Sequence, residues 1–368
     1  MTTLVDSQVE RPARRGVPIA VTYVPRPGLA SLAIINFLLM LVTLSLYRFW
    51  AKTKVRRHIW SCIHINGEPL EYTGTGKELF LGALIVFLLL ILPIILILVT
   101  ATVWLGQEHP VTGLLQTAVT VLVLLLTGMA IYRARRYRLS RTLWRGIRGT
   151  LVGSSWRYSL LYFGSWLLKI FTLGWSTPAM NVELQQRITR DMRFGETPFT
   201  FKGSAGRLYP AYALCWFLVT IVVLFGFALG SGVLYSLYYN GNLGFPWAKL
   251  LAAGAVAAVA IYVLYFLAWT IYQAREMNAF AAYTGFDAAR FRLTATAASL
   301  SALWLGNLFI LLFTIGIGMP FILQRNVRYL CDRLTVDGTV DVESIRQSRQ
   351  PLGKRGEGLA DAFDIDSF

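Results

Sequence analysis

Seven long apolar stretches, separated by short polar connections, constrain this chain more than any other feature of its sequence. They lie at 28–47, 79–105, 111–132, 158–180, 208–235, 250–272 and 299–323. A helix needs about 20 apolar residues to cross a bilayer core, so every stretch is long enough. Only 15% of the 368 residues are charged, against about 25% in soluble domains. The sequence predicts a multi-pass membrane protein and no nucleic-acid partner, although the net charge is +16.

The basic residues are spread unevenly over the connections. Two connections, 106–110 and 236–248, hold no Lys or Arg, whereas the others and the two termini hold 33 of the 35. Basic connections face the cytoplasm. All 33 fit on that side only if the first, fourth and seventh stretches enter and leave the membrane on the same side. We expect re-entrant or interfacial helices there, and spans in the second, third, fifth and sixth stretches. The alternative is a seven-span bundle with an imperfect charge bias.

Each of the three exceptional stretches contains residues that favour a helix end or kink. We assign the break positions to Thr43 in the first stretch, Gly174 and Pro178 in the fourth, and Gly316 and Pro320 in the seventh. Lys169 adds a charge in the middle of the fourth stretch, which is costly at the bilayer centre. These features support segments that turn back within the membrane.

The spacing of the breaks indicates an internal repeat. Thr43 and Thr172 are 129 residues apart, and Thr172 and Thr314 are 142 apart. Each unit holds an even number of spans, so successive units keep one orientation, as in the parallel repeats of some transporters. We expect an all-α polytopic membrane protein with a parallel repeat of broken segment plus spanning hairpin, and small cytoplasmic β-hairpins. Its parts are a cytoplasmic N-terminal segment (1–27), two repeats (28–157 and 158–296), a half repeat (297–345) and a cytoplasmic tail (346–368).

The basic connections resemble one another. Each reaches a glycine that we expect to form a turn, at Gly67, Gly146, Gly195, Gly285 and Gly338. An arginine lies ten residues before four of these glycines and eight before the third, which gives Arg57, Arg136, Arg187, Arg275 and Arg328. These arginines are candidate contacts to anionic lipid or a partner, and simple anchoring at the phosphate level explains them too.

One block of residues resembles a known family. The run Phe49-Trp50-Ala51-Lys52, then Arg56-Arg57 and Trp60, and the run from Tyr72 to Gly82 are similar to the signature of the YjgN-like family of uncharacterised bacterial inner-membrane proteins. The tail from Gly356 to Asp364 is similar too. This resemblance implies a bacterial inner-membrane protein and no particular activity. Ser45 stands where that family pattern leads us to expect glycine.

Catalytic and metal-binding patterns are absent from the sequence. The run Gly74-Thr75-Gly76-Lys77 lacks the first glycine and the final Ser or Thr of a phosphate-binding loop. His58, His64 and Cys62 are not spaced as metal ligands.

We expect no enzyme activity, no cofactor and no metal. We expect membrane lipids as partners and both termini in the cytoplasm. Two functions stay open: permease-like transport of a neutral solute or lipid, and a scaffold whose basic arms bind anionic lipid or a protein. The oligomeric state is also open.

Overall fold

The structure is a computed structural model that describes residues 16–240 and 247–347. Long helices alternate with short strands along these residues. The helices are α1 (Leu29–Val42), α2 (Arg48–Trp60), α3 (Gly76–Val86), α4 (Leu92–Leu105), α5 (Pro110–Arg141), α6 (Ser155–Phe171), α7 (Thr177–Asp191), α8 (Tyr209–Asn240), α9 (Trp247–Tyr283), α10 (Ala297–Thr314) and α11 (Met319–Arg333). A π-helical turn, Phe87–Ile91, joins α3 to α4, and 3₁₀ turns lie at Ala205–Arg207 and Val342–Ser344.

The strands are two to five residues long. They are β1 (Val17–Pro18), β2 (Val21–Tyr23), β3 (Ile63–Ile65), β4 (Glu68–Pro69), β5 (Glu71–Tyr72), β6 (Thr142–Trp144), β7 (Ile147–Leu151), β8 (Met192–Phe194), β9 (Thr197–Phe201), β10 (Thr284–Phe286), β11 (Ala289–Leu293), β12 (Leu334–Asp337) and β13 (Thr339–Val340). Strands this short are marginal as isolated hairpins, so they depend on pairing with each other.

The strands form three antiparallel sheets that short links in the chain join into a ring. An eight-stranded sheet runs from β5 to β12 in chain order, and β2, β3 and β4 form a second sheet. Leu70 alone separates β4 from β5, and Gly338 alone separates β12 from β13. The circle closes at the start of the chain, because β1 pairs with β13 and leads directly into β2. We call this arrangement the strand ring.

The interior of the strand ring is filled by apolar side chains. Trp144, Phe286 and Val340 are its most buried large members. Residues from the other strands pack against them, namely Ile65, Ile147, Phe194, Phe199, Phe291 and Val336. One shared core therefore holds all of the hairpins together.

The segment after β13 crosses the turn end of the strand ring. The amide of Glu196 donates to the carbonyl of Arg346 at 3.1 Å. The side chain of Gln347 donates to the Gly146 carbonyl at 2.9 Å and accepts from the Arg148 amide at 3.1 Å. This segment, 341–347, covers the end of the ring that faces away from the helices.

Five helical units leave the strand ring at its other end. In chain order they are α1–α2, α3–α5, α6–α7, α8–α9 and α10–α11. Each unit starts after one strand and ends before another, and these two strands are paired in every case: β2 with β3, β5 with β6, β7 with β8, β9 with β10, and β11 with β12. Paired strands lie about 5 Å apart. Every helical unit therefore returns to the place from which it started.

The first, third and fifth helical units contain a break of one geometry. Each break begins at a threonine: Thr43, Thr172 or Thr314. The threonine hydroxyl donates a hydrogen bond to the backbone carbonyl four residues earlier and accepts one from the backbone amide four residues later. The next two residues have positive φ in each break: Leu44 and Ser45, Leu173 and Gly174, Ile315 and Gly316. Pro178 and Pro320 lie in the first turn of the returning helices, where proline is tolerated. Ser45 adopts this conformation although it is not glycine.

Three helices among the described residues are long and apolar enough to cross a membrane: Gly76–Leu105, Pro110–Arg141 and Ala297–Thr314. The first two coincide with the second and third apolar stretches. Shorter apolar helices lie at Leu29–Val42 and Tyr209–Leu224. The third candidate span, α10, lies in the seventh apolar stretch, where we expected a re-entrant or interfacial helix instead of a span.

The expectation of an all-α fold was wrong. The predicted small hairpins exist, but they join into one eight-stranded sheet and two smaller ones. The physical reason is that each hairpin is too short to bury its apolar face alone, and its neighbours supply both hydrogen bonds and core. The fold combines membrane helices with an antiparallel strand ring.

Candidate membrane-facing site

The tips of the three broken units are unusually apolar and exposed. On either side of the threonine lie Val42 and Leu44, Phe171 and Leu173, and Phe313 and Ile315, and all six are between 80% and 88% exposed. Large exposed apolar patches mark interaction with membranes or partners. These six residues form three tips that suit hydrocarbon rather than water.

Exposed cations lie where the helical units leave the strand ring. Arg26 precedes α1, Lys77 is in the first turn of α3, Arg157 is in the first turn of α6, and Arg207 precedes α8. None of the four makes a hydrogen bond or ion pair with a residue that the structure describes. We call these residues the belt cations. Clusters of Lys and Arg beside membrane helices are a common feature of proteins that bind anionic lipid.

The sequence pattern places Lys77 at the membrane interface, but it does not group it with Arg26, Arg157 and Arg207. The available signal was a Lys or Arg within three residues of a helix start that follows a short strand. That signal is weak because each of these cations shares its connection or terminus with other basic residues.

Two of the predicted arginines hold the chain itself together. Arg57 donates to the Gly74 carbonyl at 3.3 Å, and Arg136 donates to the Gly153 carbonyl. Both bonds span 17 residues and tie a helix that returns to the ring to the loop that leads into the next helix. Each arginine lies six residues before the first residue of a strand.

The same contact in the fourth unit is made by an asparagine that the sequence pattern missed. Asn278 donates to the Ala295 carbonyl at 2.8 Å and accepts from the Ala295 amide at 2.9 Å, again across 17 residues. It too lies six residues before its strand, β10. Gly285 is not a turn glycine: it is paired within β10, and the turn is made by Asp287, whose φ is 52°. The residue equivalent to Arg57 and Arg136 is therefore Asn278, three residues after the predicted Arg275.

The other predicted arginines have different surroundings. Arg187 pairs with Asp191 at 3.3 Å and Arg328 with Asp332 at 3.5 Å, each one helical turn on. Arg275 is exposed and makes no hydrogen bond or ion pair with the described residues. The five arginines are therefore not equivalent, and Arg275 is the one of the five without a hydrogen bond or ion pair to a described residue.

A polar network connects the third and fourth units. Lys169 of α6 donates to Asn181 of α7 at 3.0 Å, and Asn181 donates to Glu276 of α9 at 2.8 Å. The same Glu276 oxygen accepts the hydroxyl of Tyr272 at 2.7 Å. Glu276 is 6% exposed and Tyr272 is fully buried. Buried ionisable groups at a membrane protein's helix interface are functional candidates.

The strand ring carries ordinary exposed polar contacts. Arg145 donates two hydrogen bonds to Glu68, at 2.7 and 3.0 Å, which lowers the pKa of that carboxyl. Across residues 16–240 and 247–347, no three His, Cys, Asp or Glu side chains are grouped as metal ligands would be.

Comparison with known proteins adds the family. A profile for DUF898, described as bacterial protein of unknown function, matches residues 27–362. The chain belongs to the DUF898 family. Relatives named inner membrane protein YjgN are 32% identical over 116 residues in Salmonella typhimurium LT2, 29% over 117 in Escherichia coli O157:H7 and 27% over 117 in Escherichia coli K12. Each match covers 32% of this chain and only 27% of the relative. No solved structure matches.

The resemblance read from the sequence is thus confirmed, and with its apolar helices this DUF898 chain is a membrane protein. The family description names no activity. The structural features of this DUF898 protein that bear on its function are the apolar tips, the belt cations and the strand ring.

Proposed function

We propose that this protein is a scaffold of the bacterial inner membrane, with its strand ring on the cytoplasmic side. In this proposal the α3–α5 and α8–α9 units cross the membrane and return. The three broken units enter the near leaflet and turn back at their apolar tips. The belt cations bind anionic lipid around the ring. No catalytic role is proposed.

The observation that carries the proposal is the pairing of the strands on either side of every helical unit. A unit whose two ends lie on neighbouring strands must begin and end on one side of the membrane. A single crossing by α6–α7 or α10–α11 would separate strands that are hydrogen-bonded. The pairing therefore supports re-entrant broken units, in agreement with the distribution of 33 basic residues.

The same pairing supports one orientation for the whole chain. With every basic connection on the ring side, the positive-inside rule assigns that side to the cytoplasm. Both the segment before β2 and the segment after β12 belong to the ring, so both termini are assigned to the cytoplasm as well. The recurring threonine breaks support a parallel internal repeat of broken and crossing units. The relatives' name, inner membrane protein, agrees with this location.

The filled strand ring favours a scaffold over a channel along the ring axis. Its interior is occupied by Trp144, Phe286 and their neighbours. Residues 341–347 cover its far end. A solute that passed along this axis would have to displace the core of the ring, so the ring is better suited to hold the helical units in place and to present a surface.

The scaffold role is tested by lipid selectivity. We expect the variant Lys77→Gln/Arg157→Gln/Arg207→Gln, reconstituted in mixed bilayers, to lose most of its preference for spin-labelled phosphatidylglycerol over phosphatidylcholine. Each cation near the surface contributes about 1 kcal/mol to anionic lipid binding. The control Arg193→Gln/Arg290→Gln/Arg346→Gln removes the same charge from exposed positions of the strand ring and of the segment that covers its end. Equal loss of preference in both variants would contradict a lipid role for the belt cations.

A second candidate function is permease-like transport of a neutral solute or lipid. The network of Lys169, Asn181 and Glu276 favours it, because it places polar groups between a broken unit and a neighbouring helix. Broken helices beside a polar site are typical of transporters.

Flux measurements separate the two functions. The scaffold predicts that proteoliposomes release small neutral solutes, and exchange labelled lipids between leaflets, no faster than protein-free liposomes. Transport predicts faster movement that Glu276→Gln slows and that the ring variant Arg290→Gln leaves unchanged. Flux with that dependence would replace the scaffold by the permease.

A further inference from the structure

The second break is sealed by aromatic side chains from the next helical unit. The hydroxyl of Tyr212 donates to the Gly174 carbonyl at 2.7 Å, and the indole of Trp216 donates to the Leu173 carbonyl at 2.8 Å. Trp175, inside the break, packs edge-on against Trp216 with ring centroids 5.2 Å apart. Carbonyls freed by a helix break need donors in an apolar environment. Thr177 donates to the Gly174 carbonyl from within the unit, and α8 adds the Tyr212 and Trp216 donors.

Positions in α3 and α8 can be matched through the strand ring. Tyr72 pairs with Thr142 just as Phe201 pairs with Thr284, each opposite the first residue of the next hairpin. Seven residues beyond Tyr72 and Phe201 lie Leu79 and Leu208, both 1% exposed. This shared burial supports the match at the start of the two helices.

At the positions in α3 and the π-helical turn after it that match the two hydrogen-bonding aromatic residues of α8, the first break has apolar residues. Ala83 occupies the position of Tyr212, and Phe87 occupies that of Trp216. Neither side chain carries a hydrogen-bond donor. The first break therefore lacks the two groups that close the second.

A groove of about 430 Å³ occupies this place. It runs between the first break and α3, and its lining includes Leu44, Leu46, Phe80, Ala83, Phe87 and Ile91. Its size is in the range of ligand sites. Phe87 and Ile91 bound the π-helical turn, and such turns are frequent at functional sites.

The groove is apolar along its length and cationic at one end. Leu44 and Leu46 are exposed beside it, so it is continuous with the first apolar tip. Arg48 also lines the groove and is exposed, less than one helical turn after Ser45. A long arginine side chain can extend from a position inside the leaflet towards the lipid phosphates.

We propose that this groove binds one anionic phospholipid of the near leaflet, with an acyl chain against Ala83 and Phe87 and the phosphate at Arg48. The inference rests on the proposed function, because it requires the first tip to lie in that leaflet. A soluble ligand would have to enter from the bilayer side, whereas a lipid is already there. The apolar length and the single cationic end match the two parts of a phospholipid.

Exchanging the residues at the matched positions of the α3–α5 and α8–α9 units tests the site. We expect Ala83→Tyr/Phe87→Trp to fill the groove and to weaken binding of one phosphatidylglycerol at least about tenfold, measured by native mass spectrometry of the detergent-purified protein. The reciprocal variant Tyr212→Ala/Trp216→Phe should open the second break and bind one further lipid. Arg48→Gln should keep the lipid but reduce the preference for phosphatidylglycerol over phosphatidylcholine. Melting temperatures control for folding.

Two results would overturn the site. Unchanged phosphatidylglycerol binding in Ala83→Tyr/Phe87→Trp would show that lipid binds elsewhere. Loss of a dimer, without loss of lipid, would identify a second copy of the chain as the occupant. A separate measurement tests the proposed function. Leu173 lies on the second tip, away from the groove, and a polarity-sensitive fluorophore attached at Leu173→Cys would contradict the proposed function if it reported water in reconstituted bilayers.

Discussion

Leu151 and Met192 lie opposite each other in adjacent antiparallel strands, although all of α6 and α7 separates them along the chain. They are the last residue of β7 and the first residue of β8. The same relationship links Tyr72 to Thr142, Phe201 to Thr284, and Leu293 to Leu334. A helical unit held in this way at both ends is a closed loop on the ring, whether it crosses the membrane twice or not at all.

Asn278 is expected to matter more for stability than Arg275. Asn278→Ala removes two hydrogen bonds to Ala295 and leaves backbone groups of a part-buried loop unpaired, which costs about 1–3 kcal/mol. Arg275→Ala changes an exposed side chain and should alter the free energy of unfolding by less than about 0.5 kcal/mol. Thermal unfolding in detergent compares the two variants. The 17-residue contact would lose its assigned role if both variants unfolded alike.

Ser45 and Gly174 make a matched pair at equivalent positions of two breaks. Both have positive φ, 68° and 86°, and a side chain costs about 1–2 kcal/mol in that region. We expect Ser45→Gly to raise the free energy of unfolding by about 0.5 kcal/mol, since glycine also gains freedom in the unfolded chain. Gly174→Ser should lower it by about 1–2 kcal/mol. Equal effects of the same sign would contradict a common break geometry.

Gly195 tests whether residues 341–347 stabilise the strand ring. A Cβ at Gly195 would overlap the carbonyl oxygen of Arg346, whereas a Cβ at Gly146 meets nothing within 4 Å. Both glycines have positive φ, 58° and 72°, so backbone strain is similar. We expect Gly195→Ala to destabilise the protein by about 1–3 kcal/mol more than Gly146→Ala. No difference between the two would mean that the 341–347 segment is dispensable for the ring.

Glu276 is expected to hold the third and fourth units together. Glu276→Ala leaves the hydroxyl of Tyr272 and the amide of Asn181 without their acceptor, at a cost of about 2–4 kcal/mol. Glu276→Gln keeps one acceptor oxygen and should cost about 1 kcal/mol. Adding Lys169→Met to each variant measures the coupling between the two charges by a double-mutant cycle. Additive effects would indicate that Lys169 and Glu276 act independently.

The sequence predicted the local features of this fold better than the long-range ones. The breaks at Thr43, Thr172 and Thr314 were predicted from runs in which Thr, Gly and Pro favour a helix end or kink. The turn at Asp287 was missed because aspartate takes positive φ readily, so no glycine marks it. The pairing of Val17 with Val340 was not predictable from strands of two residues, which are too short to show alternation.

The site was predicted only in part for a similar reason. The arginine pattern identified Arg57 and Arg136 by residue type. Their contacts are to backbone carbonyls, however, and Asn278 makes the equivalent contact in the fourth unit. The belt cations differ from other basic residues only by position relative to a helix start, which depends on where each strand ends. The groove at Ala83 becomes visible only when two breaks can be compared in space.

Cysteine accessibility at the two ends of the α6–α7 unit tests the central claim most directly. Val152 directly follows β7 and Arg193 lies in β8, and both side chains are exposed, so each can be replaced by cysteine for labelling. The native Cys62, Cys215 and Cys331 are buried and can be replaced to remove background labelling. In intact spheroplasts, we predict that a membrane-impermeant maleimide labels neither position and that a permeant one labels both. Labelling of either position by the impermeant reagent would place the ends of this unit on opposite sides, or on the periplasmic side, and would contradict the account.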